Sequence, residues 1–243
     1  MSAPLPAPGK KPGLVNPAMY KDFIELYNQI AQKVLTFENN RKKLVEILMG
    51  AMPRAQLGKV FTVDGKGEMT KLELATKYLN NPEWMNPFSF FIFLNAYLPP
   101  NRVGNWNSWM DNLGRAFAIN KTLVDNAKMQ MPWPDNGNQH YPQYANRAHY
   151  FDVLDGWMQN YFEINDPDTV TRLWRLATYA TYKLPPDPNT KDPVEKQFIN
   201  DFNAVAPRLR RNVALMSAGL NWMNPGVWIR ASYTRYQDYY QVF

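Results

Sequence analysis

The sequence predicts an all-α fold, and three observations lead there. Apolar residues recur at three- and four-residue spacing through most of the chain between residues 18 and 220. Helix-boundary chemistry stands where those patterns begin and end, as in Asn16-Pro17, Pro53 and Asp166-Pro167-Asp168. No alternating strand pattern rises above the helical one. These are the periodicity and capping signals of amphipathic helices.

The elements follow in order. Residues 1–17 hold five prolines and no apolar period, which predicts an extended, Pro-rich arm. A helix follows with Phe23, Leu26, Tyr27, Ile30, Val34 and Leu35 on one face. A second starts near Asn40, carries Leu44, Ile47, Leu48 and Ala51, and ends at Pro53. Leu57 to Leu79 reads as two helical stretches around a glycine-bearing loop. Pro87 to Tyr97 is apolar on most sides and reads as a buried helix. Trp106 to Val124 is an amphipathic helix with a break near Gly114, and the breaker-rich segment 131–143 is loop.

Asn146 to Phe162 presents Tyr150, Val153, Leu154, Trp157 and Tyr161 at helical spacing. Asp166-Pro167-Asp168 caps a helix running to Tyr182, with proline at its first position. The linker KLPPDPNTKDP leads to a helix over Val194–Val205, and Pro207 introduces a basic helix from Arg208 to Leu220. The organisation is an arm (1–17), a helical core (18–220) with a candidate sub-boundary near 132–143 or 184–193, and a C-terminal tail (221–243).

At 243 residues and 45% hydrophobic content the chain can bury a sizeable core. Aromatics make up 14%, with eight tryptophans, more than such a core needs, which points to aromatics facing a partner. The net charge is +6 and the isoelectric point about 9.3, which favours polyanionic partners. Zero cysteines exclude a disulfide framework and thiolate chemistry. The N-terminus lacks the apolar stretch of a signal peptide, and the longest apolar run, Phe88 to Leu98, is too short to span a bilayer. The expectation is a cytoplasmic protein that does not engage a membrane.

Phe61 to Leu74, FTVDGKGEMTKLEL, resembles an EF-hand calcium loop. Over residues 62–73, Asp64 falls at loop position three, Gly67 at six and Glu73 at twelve. The ligand chemistry opposes calcium: position one is Thr62, and position five is Lys66, an ammonium where a hard cation needs oxygen. His140 and His149 stand nine apart, with Asp135 and Asp152 as the nearest acids, too sparse for a zinc site. No P-loop, GxGxxG or GxSxG occurs. Asp152/Asp155 and Asp166/Asp168 fit capping and solvation. No cofactor, metal or catalytic residue is expected, and the chain reads as a non-enzyme.

Asn146-Arg147-Ala148-His149-Tyr150-Phe151-Asp152 resembles the basic–aromatic–Phe–Asp element of coat proteins from flexible filamentous RNA viruses. The resemblance implies an all-helical core, an N-terminal arm that docks on the next subunit, and a groove for single-stranded RNA. The tail, rich in aromatics, departs from that pattern. The same residues also fit a plain helix with Phe151 in the core and Arg147 and Asp152 exposed.

The C-terminal stretch carries a physical argument of its own. Single-stranded nucleic acid is held by cations along its phosphates and by aromatic stacking. Arg208, Arg210 and Arg211 cluster where a helix starts, an unfavourable place for cations unless an anion offsets them. With Arg147, Arg172 and Arg175 they form the candidate phosphate-binding set, and Lys121 and Lys128 on another helix can add to it. Tyr233, Tyr236, Tyr239, Tyr240 and Phe243 are candidate subunit-interface residues. Two functions follow: a self-assembling coat or nucleocapsid subunit that binds single-stranded RNA, in the cytoplasm or in a virion; or a helical adaptor whose tail binds a protein and no nucleic acid. An enzyme with a site of scattered carboxylates ranks third, with no positive feature behind it.

Overall fold

The structure, a computed structural model, describes residues 21–53, 60–63, 67–95, 102–130, 164–209 and 212–228. These form nine α-helices and one β-hairpin, so the fold is all-α. The helices are α1 (Lys21–Leu35), α2 (Arg41–Ala51), α3 (Lys71–Asn80), α4 (Pro87–Asn95), α5 (Arg102–Ala116), α6 (Lys121–Gln130), α7 (Pro167–Tyr182), α8 (Pro193–Val205) and α9 (Asn212–Met223). The hairpin strands are β1 (Val60–Val63) and β2 (Gly67–Thr70), and 3-10 turns occupy Pro82–Trp84 and Ala206–Arg208.

The core is centred on α4. Phe88, Phe90, Phe91, Ile92, Phe93 and Leu94 are all buried, as a helix apolar around its circumference must be. Each such side chain contributes about 1.5–3 kcal/mol when removed from water. Phe91 sits between Tyr27 of α1 and Trp222 of α9, with ring centroids 5.8 and 6.4 Å away. Helix α7 closes another side, and the Trp174 indole N–H donates to the Met85 carbonyl at 3.0 Å. Helix α1 packs along α6 and α7, α2 against α3 and α5, and α7 against α8.

Three expectations are corrected. The first helical stretch of Leu57–Leu79 is the hairpin, antiparallel in the register Val60↔Thr70 to Val63↔Gly67. Val60-Phe61-Thr62-Val63 is β-branched and aromatic, and Asp64-Gly65 is a hairpin-turn dipeptide, so strand propensity wins locally. The segment Trp106–Val124 is two helices, α5 and α6, and the break falls at 117–120, not at Gly114. There the Ile119 N–H donates to the Gly114 carbonyl (2.8 Å) and the Ala118 N–H to the Arg115 carbonyl (3.3 Å), a Schellman cap with Ala118 at φ 53°. Gly114 stays inside α5, where a Cβ would lie 2.9 Å from Val124 Cγ2, so it permits α6 to fold back closely. The final helix begins at Asn212 and runs to Met223, with Arg208 placed in the preceding 3-10 turn.

The helical body extends into residues read with the tail. Trp222 and Trp228 are buried, and the Trp228 indole donates to the Ala180 carbonyl at 2.9 Å. The arm, the segment 131–163 and residues 229–243 lie outside the described residues.

Candidate charged site on helices α7 and α8

The site starts from the way α7 begins. The Asp166 carboxylate accepts from the Thr169 backbone N–H at 2.9 Å, Pro167 supplies a pre-set φ, and Asp168 places an acid in the first turn. One turn on, Arg172 reaches back to Asp168 (Nε–Oδ2 2.8 Å), and Arg175 lies on the same side. Helix α8 is capped in the same way by Asp192, which accepts from the Val194 N–H at 2.7 Å. The two helices run antiparallel, so Asp201 of α8 comes opposite Arg172 and Arg175.

Asp201 is buried and its carboxylate is fully engaged. Arg175 forks onto it through Nε (2.7 Å) and Nη2 (2.8 Å), Arg172 adds Nη1 at 2.9 Å, and Gln197 donates at 3.1 Å. Burial raises the carboxyl pKa. The hydrogen bonds from Arg175 and Gln197 and the charges of both arginines outweigh that and hold it below the ordinary aspartate range. Arg208 docks on the start of α7, donating to Asp166 Oδ2 at 2.7 Å and to the Thr169 hydroxyl. Asp166 is pushed up by desolvation and pulled down further by Thr169 and Arg208, ending below its usual value.

Three of the six arginines in the candidate phosphate-binding set therefore converge, and each has an aspartate partner. Their side chains remain 27% (Arg172), 43% (Arg175) and 52% (Arg208) exposed, so the latter two can still meet a ligand from solvent. Arg147, Arg210 and Arg211, the tail residues Tyr233, Tyr236, Tyr239, Tyr240 and Phe243, and His140 and His149 lie outside the described residues. Lys121 and Lys128 belong to a separate set on α6: Lys121 pairs with Asp125, and Lys128 with Asp111 and Asp125.

A cleft of about 520 Å³ adjoins the arginines, between the α1–α2 turn, the Pro82–Trp84 turn and the start of α7. Arg41 lines it. Its Nε donates to the Glu38 carbonyl (2.9 Å), its Nη1 to the Glu83 carbonyl (2.8 Å), and its guanidinium lies 5.2 Å over the Trp174 ring. Burial lowers its pKa against the opposing pull of Glu38 and Glu83. Sequence reasoning missed Arg41, although a signal existed. It heads the run Arg41-Lys42-Lys43 at a helix start, the unfavourable placement that singled out Arg208 to Arg211.

At the calcium-loop resemblance, Glu73 accepts from the Thr70 N–H (2.7 Å) and hydroxyl (2.9 Å), while Thr70 accepts from the Glu73 N–H (3.1 Å). That is a capping box opening α3. Among the described residues no cluster of three or more His, Asp or Glu side chains could hold a metal. Nor is any helix among them long and apolar enough to cross a membrane.

These features define an all-α fold whose described residues carry a compensated arginine–aspartate face. Residues 23–242 match the model of the domain of unknown function DUF8425, and the chain belongs to that family. No curated protein and no solved structure matches it.

Proposed function

We propose that this protein is a structural subunit that binds single-stranded RNA and self-assembles, a connector and not an enzyme. The observation that supports it is the convergence of Arg172, Arg175 and Arg208 on one face, with two of the three about half exposed. Arg208 leads directly to Arg210 and Arg211. By sequence, residues 1–20 carry Lys10 and Lys11 and no acid, and residues 208–243 carry Arg208, Arg210, Arg211, Arg230 and Arg235 against Asp238. Phosphate would engage the outer faces of Arg175 and Arg208 and displace Asp166, the exposed partner of Arg208, while Asp201 keeps Arg172 and Arg175 in place. The arm and tail would link subunits, in the cytoplasm or in a virion.

Equilibrium binding of a uridine-rich oligoribonucleotide across a salt series tests this. Affinity should fall steeply with salt, with a slope of about −0.7 per phosphate neutralised, and Arg175→Ala with Arg208→Ala should flatten it. Absent or salt-insensitive binding refutes the reading.

The pairing of every arginine of the cluster with aspartate favours a second reading, a helical adaptor whose tail binds a protein. A monomer free of RNA, whose partner binding is lost with the tail, would support it.

A further inference from the structure

The cleft beside the arginine face has a chemistry of its own. Its volume of about 520 Å³ lies in the range of small-ligand sites. Three separate stretches of chain wall it: the turn leading into α2, the Pro82–Trp84 turn and the start of α7. Two acids, Glu38 and Glu83, line it together with two cations, Arg41 and Lys42. Their formal charges cancel, so the space as a whole selects an ion of neither sign. The other polar side chains are mainly amides, those of Asn39, Asn40 and Asn165, all on exposed residues. None of the three hydrogen-bonds another described residue through its side chain. An amide offers a donor and an acceptor together, which suits a neutral heterocycle whose edge carries both.

Arg41 gives this cleft a fixed plane. Its guanidinium is held by the Glu38 and Glu83 carbonyls, at 2.9 and 2.8 Å, and lies 5.2 Å over the Trp174 ring. Trp174 is itself fully buried and tied by its indole to the Met85 carbonyl. The Arg41 Nη2 group has no partner among the described residues. A guanidinium already clamped in its plane can stack on a nucleobase while losing little further side-chain freedom.

The cleft is also in step with the arginines. Thr171 lines it and Arg175 stands four residues on, so the two share one side of α7, about one turn or roughly 5.4 Å apart. The Arg175 pKa is raised first by its hydrogen bond to Asp201 and then by the charges of Asp201, Asp168 and Glu38, so an acid of the cleft acts on the arginine face. From the mixed donors and acceptors, the clamped guanidinium and that spacing, we infer that the cleft receives one unstacked base of a single-stranded RNA whose phosphate rests on Arg175, with Arg41 against the face of the base and the asparagine amides on its edge. The inference rests on the RNA-binding part of the proposed function and adds a base site to its phosphate face. Phosphate contacts alone give affinity that is indifferent to the bases, whereas a base seat makes the bases contribute.

The test uses the full chain and two strands of equal length, an oligouridylate and its abasic ribose-phosphate counterpart, followed by fluorescence anisotropy. The uridine strand should bind at least about tenfold more tightly, the scale of one stacked base. Asn39→Ala with Asn165→Ala, both at exposed positions, should cut that ratio at least about fivefold with the circular dichroism unchanged. Arg41→Lys, which keeps the charge and loses the plane, should cut it too. A ratio near one in the wild type, or one that the asparagine variant leaves unchanged, overturns the inference. A 4-thiouridine in the same strand gives the location. Photo-crosslinks to residues 38–42, 82–83 or 165–171 are expected, and crosslinks confined to other residues, or none, overturn it. The salt series separates the two readings. Steep salt dependence without base preference removes the base site alone, cleft crosslinks with salt-insensitive binding remove the phosphate face alone, and binding of neither strand removes both.

Discussion

Asp201→Asn replaces a buried carboxylate that takes four hydrogen bonds, three of them from Arg172 and Arg175. The variant preserves shape but turns an acceptor into an amide whose N–H₂ faces a guanidinium, and it leaves two like charges adjacent. Breaking a buried ion pair costs about 3–5 kcal/mol. The arginines here are partly solvated, which screens the interaction, so about 2–3 kcal/mol is the appropriate scale. For a chain of this size each kcal/mol moves the melting temperature about 2–4 °C, so a drop of roughly 5–10 °C is expected at pH 7. The acid limb provides a second check. The folded carboxyl titrates below the ordinary aspartate value of about 3.9, so its contribution is present above that pH. It is lost as pH falls through the folded pKa. Thermal melts followed by circular dichroism between pH 7 and pH 3 should therefore show the wild type losing stability on acidification more steeply than Asp201→Asn. A melting temperature within about 2 °C of wild type at pH 7, with parallel acid limbs, would refute the view that Asp201 organises the cluster.

Three further substitutions have worked expectations. Thr70→Ala removes the cap that the Glu73 N–H and carboxylate engage, and should cost about 1 kcal/mol in urea titration. Gly114→Ala places a methyl 2.9 Å from the stiff Val124 side chain, a destabilisation of about 1–3 kcal/mol that Val124→Ala should partly relieve in a double-mutant cycle. Ala118→Gly relieves a left-handed backbone at φ 53° and should stabilise by up to about 1 kcal/mol, read as a raised melting temperature.

The helices whose periodicity and caps agree were legible in the sequence. Phe23, Leu26, Tyr27, Ile30 and Val34 bury the face of α1 that their spacing defines, and Asp166-Pro167 starts α7 as its chemistry requires. Where local and tertiary signals competed, the reading failed. Val60–Val63 is too short for a period to decide helix or strand, so its β-branched residues and the Asp64-Gly65 dipeptide of the sequence carried the information. The break after α5 has no glycine or proline at its left-handed position. Ala118 holds it, Val124 seats closely on Gly114, and Asn120 Oδ1 accepts from the Thr122 N–H at 2.8 Å to open α6.

The candidate site was half legible, for an electrostatic reason. Arg172, Arg175 and Arg208 were visible as cations at suggestive places, but their partners lie 42 residues away for Arg208–Asp166 and 26 for Arg175–Asp201. One-dimensional spacing cannot register such pairs. Asp166 and Asp168 read as caps, and Asp166 does cap α7; its second carboxylate oxygen also holds Arg208. A cap satisfied by one oxygen leaves the other free for a cation, so one residue can start a helix and tether a later turn. The same compensation sharpens the functional question. A groove evolved only to hold phosphate would leave its arginines unmatched, whereas these are held in place by acids of graded exposure, from the buried Asp201 to the half-open Asp166. Asp201 positions Arg172 and Arg175 from a buried site, whereas Arg208 is held only by the half-open Asp166. The exposed Arg208–Asp166 pair is the one that salt weakens first, so the ionic-strength dependence of an Arg208 variant, set against that of an Arg175 variant whose pair is with the buried Asp201, separates a phosphate-binding face from a structural clamp.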